Sequence, residues 1–335
     1  MSDGAKTGLP PETPPETLGE VGELTMIERI TRRLSLAGDV IVGPGEDGAV
    51  VRPAASHHQD WVLTSDAVIE GVHFAAGTGP AAIGHKAMAR VLSDLAAMGA
   101  DPAWALVNVV APAATDTALL DGLAAGAAAT AERHGLSIIG GDLAAGPALQ
   151  LHAFALGSVP RGKALLRSGA RPGDAVFVTG ALGNSLSGRH LTFEPRIKQG
   201  LWLRGWASAL IDLSDGLASD LRHVLGASRV GARIWTELIP KAPDASGTDP
   251  TRTALEHALL DGEDYELLFT VPAGREEAFA DAWHESFELT CTLIGEITDL
   301  DGRLEFVDDS GSILPIRQTG YEHFRSERPP RERTS

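Results

Sequence analysis

A short apolar run that changes abruptly into a helical pattern most constrains how this chain of 335 residues can fold. Residues Ala209–Leu213 are apolar and β-prone except for Asp212, which is typical of a buried strand. A Ser-Asp-Gly sequence follows at residues 214–216, and from Leu217 apolar residues recur at helical spacing. The pattern predicts a strand, a tight turn and a helix, with two carboxylates and a hydroxyl at the junction.

This junction has the chemistry of a metal and phosphate site. The N-terminus of a helix presents unpaired N–H groups and a positive dipole end, which suit phosphate oxygens. Carboxylates there suit Mg²⁺, which takes oxygen ligands and accompanies phosphates. A helix cap would explain Ser214 or Asp215, but it does not explain Asp212 inside the strand. We therefore predict that Asp212 and Asp215 act through a metal ion.

Composition bounds the class of protein. The length suits about two domains, and 43% hydrophobic with 22% charged residues is typical of a soluble globular chain. No apolar run approaches the roughly 18 residues that span a bilayer. The single cysteine, Cys291, excludes an internal disulfide and fits a reducing cytosol, and the net charge of −17 argues against a nucleic-acid partner. We expect a cytoplasmic protein that binds neither nucleic acid nor membrane.

The domain organisation follows from changes in composition. Residues 1–22 are rich in Pro, Glu and Thr, and residues 326–335 are highly charged, so we expect disordered tails at both ends. A boundary near Pro160 separates an N-terminal domain, residues 23–160, from a C-terminal α/β domain, residues 161–325.

Acids follow or interrupt several predicted elements of the first half. Three strands are predicted to end in an acid: at or near Asp47, at Asp66 and at Asp142. Since α/β folds place ligands at strand ends, these acids are candidate ligands. A predicted helix, Ile83–Gly99, places Asp94 one position from its apolar face, where a carboxylate must be paired, hydrogen-bonded or bound to a metal. Arg90 is the alternative partner at helical spacing.

The second half carries a run of acids before a strand. The segment Asp261–Val271 (DGEDYELLFTV) is interpreted either as a solvated acidic turn or, because Tyr265 and an apolar run follow, as a packed strand entrance. In a weakly patterned segment upstream, Arg189, His190 and Arg196 add positive charge that phosphates could use.

Seven motifs occur in a familiar order between about Leu24 and Phe324: GEDGAV, TSDAVIEGVHF, LSDLAAMGADP, GGD, IDLSDGLASDL, DGEDYEL and GYEHF. GGD alone has little specificity, whereas the two longest strings are specific. Taken together they resemble the thiamine-monophosphate kinase family, within the superfamily of aminoimidazole ribonucleotide synthetase and selenophosphate synthetase.

The resemblance implies a fold and a reaction. The fold is a two-domain α/β (α+β) type in which the N-terminal domains of a homodimer pair into a shared β-barrel, so residues 23–160 would bind metal and phosphate and dimerise. The reaction is the ATP-dependent phosphorylation of thiamine monophosphate to thiamine diphosphate. ATP is the co-substrate and several Mg²⁺ ions assist.

The resemblance also assigns residues to roles. Positions that match the family's metal ligands are Asp47, Thr64, Ser65, Asp66, Asp94, Asp142, Asp212 and Asp215. Positions that match contacts to ATP are Gly141, Asp142, Arg167 and Ser214, and those that match contacts to the thiamine substrate are His73, Glu263 and Tyr321. No general base is expected, because the acceptor phosphate has a second pKa of about 6 and is already largely dianionic at neutral pH.

The chain departs from the family pattern at four places. Glu46 stands where Asp is usual, LAAG follows GGD in place of a Thr-Thr-Arg type of sequence, Asp261 replaces a usual Gly, and the segment 182–189 is shorter than a common helical insertion. None of these removes a predicted metal ligand. A selenophosphate-forming enzyme would carry a reactive cysteine near its N-terminus, and a non-catalytic nucleotide or metal sensor is the alternative from a different class.

Overall fold

The computed structural model describes residues 17–243 and 249–315, which fall into two compact units. In the smaller unit, helix α1 (Leu18–Val21) is followed by helix α2 (Glu23–Thr31). The carboxylate of Glu20 accepts a hydrogen bond from the backbone N–H of Thr17 at 2.8 Å. This local cap explains why the last residues of the expected disordered tail form a helical turn.

The larger unit begins at Leu36 and contains two sheets and six helices among the described residues. Its strands are β1 (Val40–Val42), β2 (Ala49–Val51), β3 (Gln59–Ile69), β4 (Asp101–Ala111), β5 (Ser137–Ala145), β6 (Gln150–Pro160), β7 (Ala175–Thr179), β8 (Ala209–Asp212), β9 (Gly231–Trp235), β10 (Leu267–Val271), β11 (Cys291–Thr298), β12 (Leu304–Val307) and β13 (Ile313–Leu314). Its helices are α3 (Pro80–Ala97), α4 (Thr117–Arg133), α5 (Ile197–Leu203), α6 (Leu217–Ser228), α7 (Ala254–Leu260) and α8 (Glu276–Ser286).

Both sheets are mixed, in agreement with the predicted α/β (α+β) class. The first has the strand order β1-β2-β3-β6-β4-β5 and is antiparallel except for β4 and β5, which α4 connects in parallel. The second has the order β13-β12-β9-β11-β7-β10-β8 and is antiparallel except for β9 and β12. The strand β8, which was predicted from the Ala209–Leu213 run, is a fully buried edge strand of the second sheet.

Helix α3 is central to the larger unit. It packs against β3, β6 and α4, and it also contacts β8 and α5. The helix is terminated by a glycine in the left-handed region: Gly99 has φ of +62°, and the N–H of Ala100 donates to the carbonyl of Leu95 at 2.8 Å. Side chains of this one helix therefore reach elements of both sheets.

Two acids expected at strand ends lie instead within strands. β3 continues past Asp66 to Ile69, because the apolar residues 67–69 pair with β6. β5 likewise continues past Asp142 to Ala145 alongside β4. The prediction of strand ends was wrong at both positions, since the apolar residues after each acid extend the ladder. Asp47 lies in the turn between β1 and β2, five residues after β1 ends.

Within residues 17–243 and 249–315, no helix is both long enough and apolar enough to cross a membrane.

Candidate active site

Four of the predicted metal-binding acids act on one another electrostatically although they come from four different elements: Asp47, Asp66, Asp94 and Asp212. Burial raises the pKa of Asp94 well above its usual range, and the charges of the other three raise it further. Burial, followed by the charge of Asp47, raises the pKa of Asp212 to about 7. The fold therefore gathers like charges that are far apart in the sequence. We refer to these four residues as the acid cluster.

Hydroxyl groups hold two members of the acid cluster. The hydroxyl of Thr64, on β3, donates to the carboxylate of Asp94 on α3. The hydroxyl of Ser93 donates to Asp212 at 2.5 Å, and thereby joins α3 to the end of β8. Arg90, the alternative partner considered for Asp94, contacts other acids instead.

Arginines pair with the other two members. Arg90 donates two hydrogen bonds to Asp66, at 3.0 and 2.8 Å, and Arg167 donates one to Asp47. The carboxylate of Glu46 accepts a hydrogen bond from the backbone N–H of Arg167 at 2.6 Å, and its pKa is raised by burial. Glu46 therefore holds the backbone of Arg167, whose side chain in turn pairs with Asp47.

The acid cluster fits a divalent cation. Ionised, its carboxylates carry four negative charges, which two arginines only half neutralise. In addition, Oδ2 of Asp47 is buried and has no hydrogen-bond partner among the described residues. Buried charges and orphaned carboxylate oxygens are costly without a ligand, and Mg²⁺ takes such oxygens. The donor set therefore suits Mg²⁺.

A second acidic group lies at the start of α6, next to the predicted strand-turn-helix junction. Ligand atoms of Asp215, Asp220 and His223 lie within 4.8 Å of one another. Asp220 is buried and accepts a hydrogen bond from the backbone N–H of Asp215 at 3.0 Å, and burial and neighbouring carboxylates raise its pKa well above the usual range. Asp220 and His223 were not singled out from the sequence, although their spacing of three residues in a helix places them side by side.

The predicted substrate residue Glu263 lies in a polar network. Its carboxylate lies 2.8 Å from Nζ of Lys86, 3.0 Å from Nδ1 of His190 and 3.7 Å from the guanidinium of Arg90. Burial favours the neutral acid, but these partners outweigh it and lower the pKa of Glu263 to about 2. Glu263 is therefore ionised at neutral pH.

His73, the second predicted substrate residue, belongs to the same network. Its Nδ1 accepts a hydrogen bond from the backbone N–H of Ile69 at 3.1 Å. Its backbone carbonyl accepts one from Lys86 at 2.6 Å. Lys86 therefore joins His73 to Glu263. The third predicted substrate residue, Tyr321, lies outside the described residues.

One stripe of α3 connects this substrate network to the acid cluster. Lys86, Arg90 and Asp94 follow one another at intervals of four residues and so lie on the same side of the helix. Arg90 pairs with Asp66 of the cluster and also approaches Glu263. The candidate metal site and the candidate substrate site are thus physically continuous.

The run of acids before β10 is a packed strand entrance and not a solvated turn. Its other acids are buried and paired with basic groups: Asp261 with Arg252 at 3.2 Å, Asp264 with Arg189 at 2.5 Å, and Glu266 with Arg196 at 2.8 Å. Arg189, His190 and Arg196 therefore contact acids of this run, and a role with phosphates stays a prediction. Their proximity could not be read from residues some 70 positions apart.

Asp261, one of the departures from the family pattern, also has a structural partner. Its carboxylate accepts a hydrogen bond from the backbone N–H of Asn184 at 3.1 Å and contacts the ring of His257 at 2.7 Å. The shortened segment 182–189 is therefore attached to the acidic turn through this residue.

Three predicted residues lie apart from the acid cluster in the described chain. A Cβ at Gly141 would lie 1.9 Å from the carbonyl oxygen of Val107, so only glycine fits there. Asp142 is exposed on β5, three strands from β3, or about 14 Å at the usual spacing. Ser65 is exposed. Because successive side chains of β3 point to opposite faces of the sheet, Ser65 lies on the other face from Thr64 and Asp66.

Comparison with known proteins identifies the family. Residues 45–159 match the family described as AIR synthase related protein, N-terminal domain, and residues 171–307 match AIR synthase related protein, C-terminal domain. A thiamine-monophosphate kinase of Escherichia coli K12 is 39% identical over 330 residues, covering 90% of this chain and 98% of that relative.

Solved structures agree. The structure described as AaThiL complexed with AMPPCP and TMP superposes with a TM-score of 0.80 at 28% identity, over 93% of this chain and 100% of that one. Thiamine-monophosphate kinase from Stenotrophomonas maltophilia K279a gives a TM-score of 0.69 at 35% identity, over 86% and 96%. The chain belongs to the thiamine-monophosphate kinase family, built on the two domains of AIR synthase related proteins.

Proposed function

We propose that this protein transfers the γ-phosphoryl group of ATP to thiamine monophosphate and releases thiamine diphosphate and ADP. Family membership supports the reaction, as does a structural relative that is described as bound to AMPPCP and TMP. The observation in this chain that carries the proposal is the position of Arg90. It lies between Asp66 of the acid cluster and Glu263 of the substrate network, so a charged phosphate site adjoins an organic substrate site.

The chemistry requires alignment and charge neutralisation more than proton transfer. Phosphoryl transfer involves little covalent chemistry by the protein, and the acceptor phosphate is already an anion. Mg²⁺ bound at the acid cluster supplies the positive charge that reduces repulsion between the two phosphate groups. Asp47, Asp66, Asp94 and Asp212 would hold such ions, with Thr64 and Asp215 next to them. Ser65 and Asp142, which lie apart from the acid cluster, are proposed as ligands of further Mg²⁺ ions. The acids therefore act as ligands and not as bases.

The remaining residues position the two substrates. The N-terminus of α6 offers N–H groups and a positive dipole end to phosphate oxygens, beside Ser214. Arg167, Gly141 and Asp142 are proposed to contact ATP. His73, Glu263 and Tyr321 are proposed to contact the thiamine part of the acceptor.

We further propose that two copies associate through the N-terminal domain, residues 23–160, and that residues 161–325 form the second domain. The whole of β5 is exposed at the edge of its sheet, and Ile139 and Leu143 on it are 64% and 66% exposed. Unpaired, apolar edge strands favour pairing with another strand. A second copy would cover this edge.

The deciding experiment measures Mg²⁺-dependent turnover of ATP with thiamine monophosphate and quantifies ADP and thiamine diphosphate together. Equal amounts of both products support the proposal. ADP without thiamine diphosphate would overturn the acceptor assignment. Binding of ATP with no ADP would favour a nucleotide sensor.

A further inference from the structure

We infer that Lys86 is a positioning residue that sets the geometry of the thiamine-binding groups, an inference that rests on the proposed function. Its side chain is 0% exposed. Its Nζ donates to the carbonyl of His73 at 2.6 Å and to the carboxylate of Glu263 at 2.8 Å, and it lies 2.7 Å from Nδ1 of His190. Two of the three N–H donors of the ammonium group are therefore accepted by a carbonyl oxygen and a carboxylate oxygen.

The three partners come from distant parts of the chain. His73 follows β3, His190 belongs to the short helical turn Arg189–Leu191, and Glu263 precedes β10. Lys86 contacts all of them from α3, the most deeply buried helix around the site. The lysine therefore fixes groups that local structure alone does not hold together.

Glu263 needs such a constraint because its backbone is unusual. Its φ is +64°, and that of Tyr265 is +51°, in the left-handed region that few non-glycine residues adopt. The N–H of Glu263 donates to the carbonyl of Ser214 at 2.7 Å, which anchors one side of the turn. The bond from Lys86 anchors the carboxylate on the other side. Strained conformations persist where surrounding contacts determine them and are concentrated at ligand sites.

A merely structural role for Lys86 predicts a different result from a positioning role. A buried ion pair contributes little net stability compared with apolar residues of similar size, so stabilisation is a poor explanation for keeping it. Positioning predicts that loss of Lys86 weakens binding of the thiamine substrate and leaves binding of ATP intact. A general loss of packing would instead weaken the binding of both thiamine monophosphate and ATP.

The test compares Lys86→Met with Lys163→Met, the same exchange at an exposed lysine. We expect Lys86→Met to raise the KM for thiamine monophosphate about 10- to 100-fold, the range for losing hydrogen bonds to a charged group. The KM for ATP should stay within about twofold, and Lys163→Met should match the wild type. Lys86→Arg, which keeps the charge, should recover part of the loss.

A double variant keeps the test decisive if Lys86→Met alone does not fold. Lys86→Met with Glu263→Gln removes both charges and leaves no unpaired buried ion. If Lys86 acts through Glu263, this double variant should have the same KM for thiamine monophosphate as Glu263→Gln alone.

Three results would overturn the inference: an unchanged KM for thiamine monophosphate in Lys86→Met, equal changes for both substrates, or full additivity in the double variant. A wild-type protein that makes thiamine diphosphate while the lysine variants behave normally would overturn this inference only. A wild-type protein that makes none would overturn the proposed function as well.

Discussion

The backbone N–H of Glu263 donates to the carbonyl oxygen of Ser214 at 2.7 Å, so the turn of the substrate network and the turn after β8 are bonded directly. A Cβ at Gly262 would lie 2.6 Å from that same oxygen, and one at Gly216 would lie 2.8 Å from the carbonyl of Asp261. The two turns thus touch backbone to backbone. A shift of one must move the other.

Asp212→Asn should remove most of the Mg²⁺-dependent turnover while the protein still folds. The exchange keeps the size of the side chain but removes the charge that would hold a cation, and we expect kcat/KM to fall about 10²- to 10³-fold, as for other electrostatic groups in active sites. Steady-state kinetics with a urea unfolding curve checks both parts.

Asp174→Asn is the matched control, because Asp174 is also buried and accepts a serine hydrogen bond, from Ser208 at 2.6 Å. Full activity in Asp212→Asn, or equal losses in both variants, would contradict the role assigned to Asp212.

The metal-free protein should lose stability as the pH rises from about 4 to about 7. The pKa of Asp212 rises on folding from 3.8 to about 7, so the native state binds more protons than the unfolded state in this range, and the free energy of unfolding falls with pH. Saturating Mg²⁺ should reduce this slope, since it favours the ionised carboxylate.

Asp264 has a pKa raised to about 7 by burial, but Arg189 is its partner and it lies outside the acid cluster. Asp264→Asn should therefore reduce the slope and leave the response to Mg²⁺ unchanged. Urea unfolding at several pH values measures both. A slope of the opposite sign would refute the electrostatic account of the acid cluster.

Gly141→Ala should destabilise the pairing of β4 with β5. The new methyl group would lie 1.9 Å from the carbonyl of Val107, whereas the same change at Gly140 would meet only a side-chain carbon of Leu106 at 3.4 Å. We expect a loss of about 1–3 kcal/mol in the free energy of unfolding for Gly141→Ala, as for other overpacked sites, and little change for Gly140→Ala. Equal unfolding midpoints would show that the strand shifts without cost.

Arg189→Ala should lower stability and leave the KM for ATP unchanged. The guanidinium is bonded to the buried Asp264 and to the carbonyls of Ala181 and Gly183, so its removal leaves acceptors without partners, at about 1–3 kcal/mol. Urea unfolding and ATP kinetics separate the two effects. A raised KM for ATP with normal stability would return Arg189 to the phosphate role considered from the sequence.

Leu143→Asp should convert the proposed dimer to a monomer, because it places a charge on the exposed edge strand β5. Leu300→Asp, at a 43% exposed position in the loop after β11, is the matched control and should leave the dimer intact. Sedimentation equilibrium measures the mass. Identical masses for the two variants would exclude β5 from the interface.

The sequence predicts the secondary structure well where local patterns determine it. The strand-turn-helix at β8 and α6 lies where the apolar pattern changes period. The acids of the cluster were assigned by resemblance, and the structure brings four of them into electrostatic contact. Local periodicity could not predict that these four acids lie close together, because it does not report contacts between distant segments.

Where tertiary contacts determine structure, the sequence is less informative. The helix α5 lies in a weakly patterned segment and packs against α3, so its stability comes from a neighbour 100 residues away. Lys86 has the usual appearance of a solvent-exposed helix residue, yet it is fully buried. The fold places the carbonyl of His73, the ring of His190 and the carboxylate of Glu263 around it, and the sequence does not indicate these contacts.

Helix α3 also determines the distance between the substrate network and the acid cluster. Successive residues rise about 1.5 Å, so Lys86, Arg90 and Asp94 are about 6 Å apart along the axis, and the lysine and the aspartate are about 12 Å apart. The helix thus sets the distance between the substrate network and the acid cluster. Inserting one residue between Lys86 and Asp94 would add little length but would turn one group about 100° away from the other. The seven residues between Lys86 and Asp94 therefore set the angle between the two groups as well as the distance.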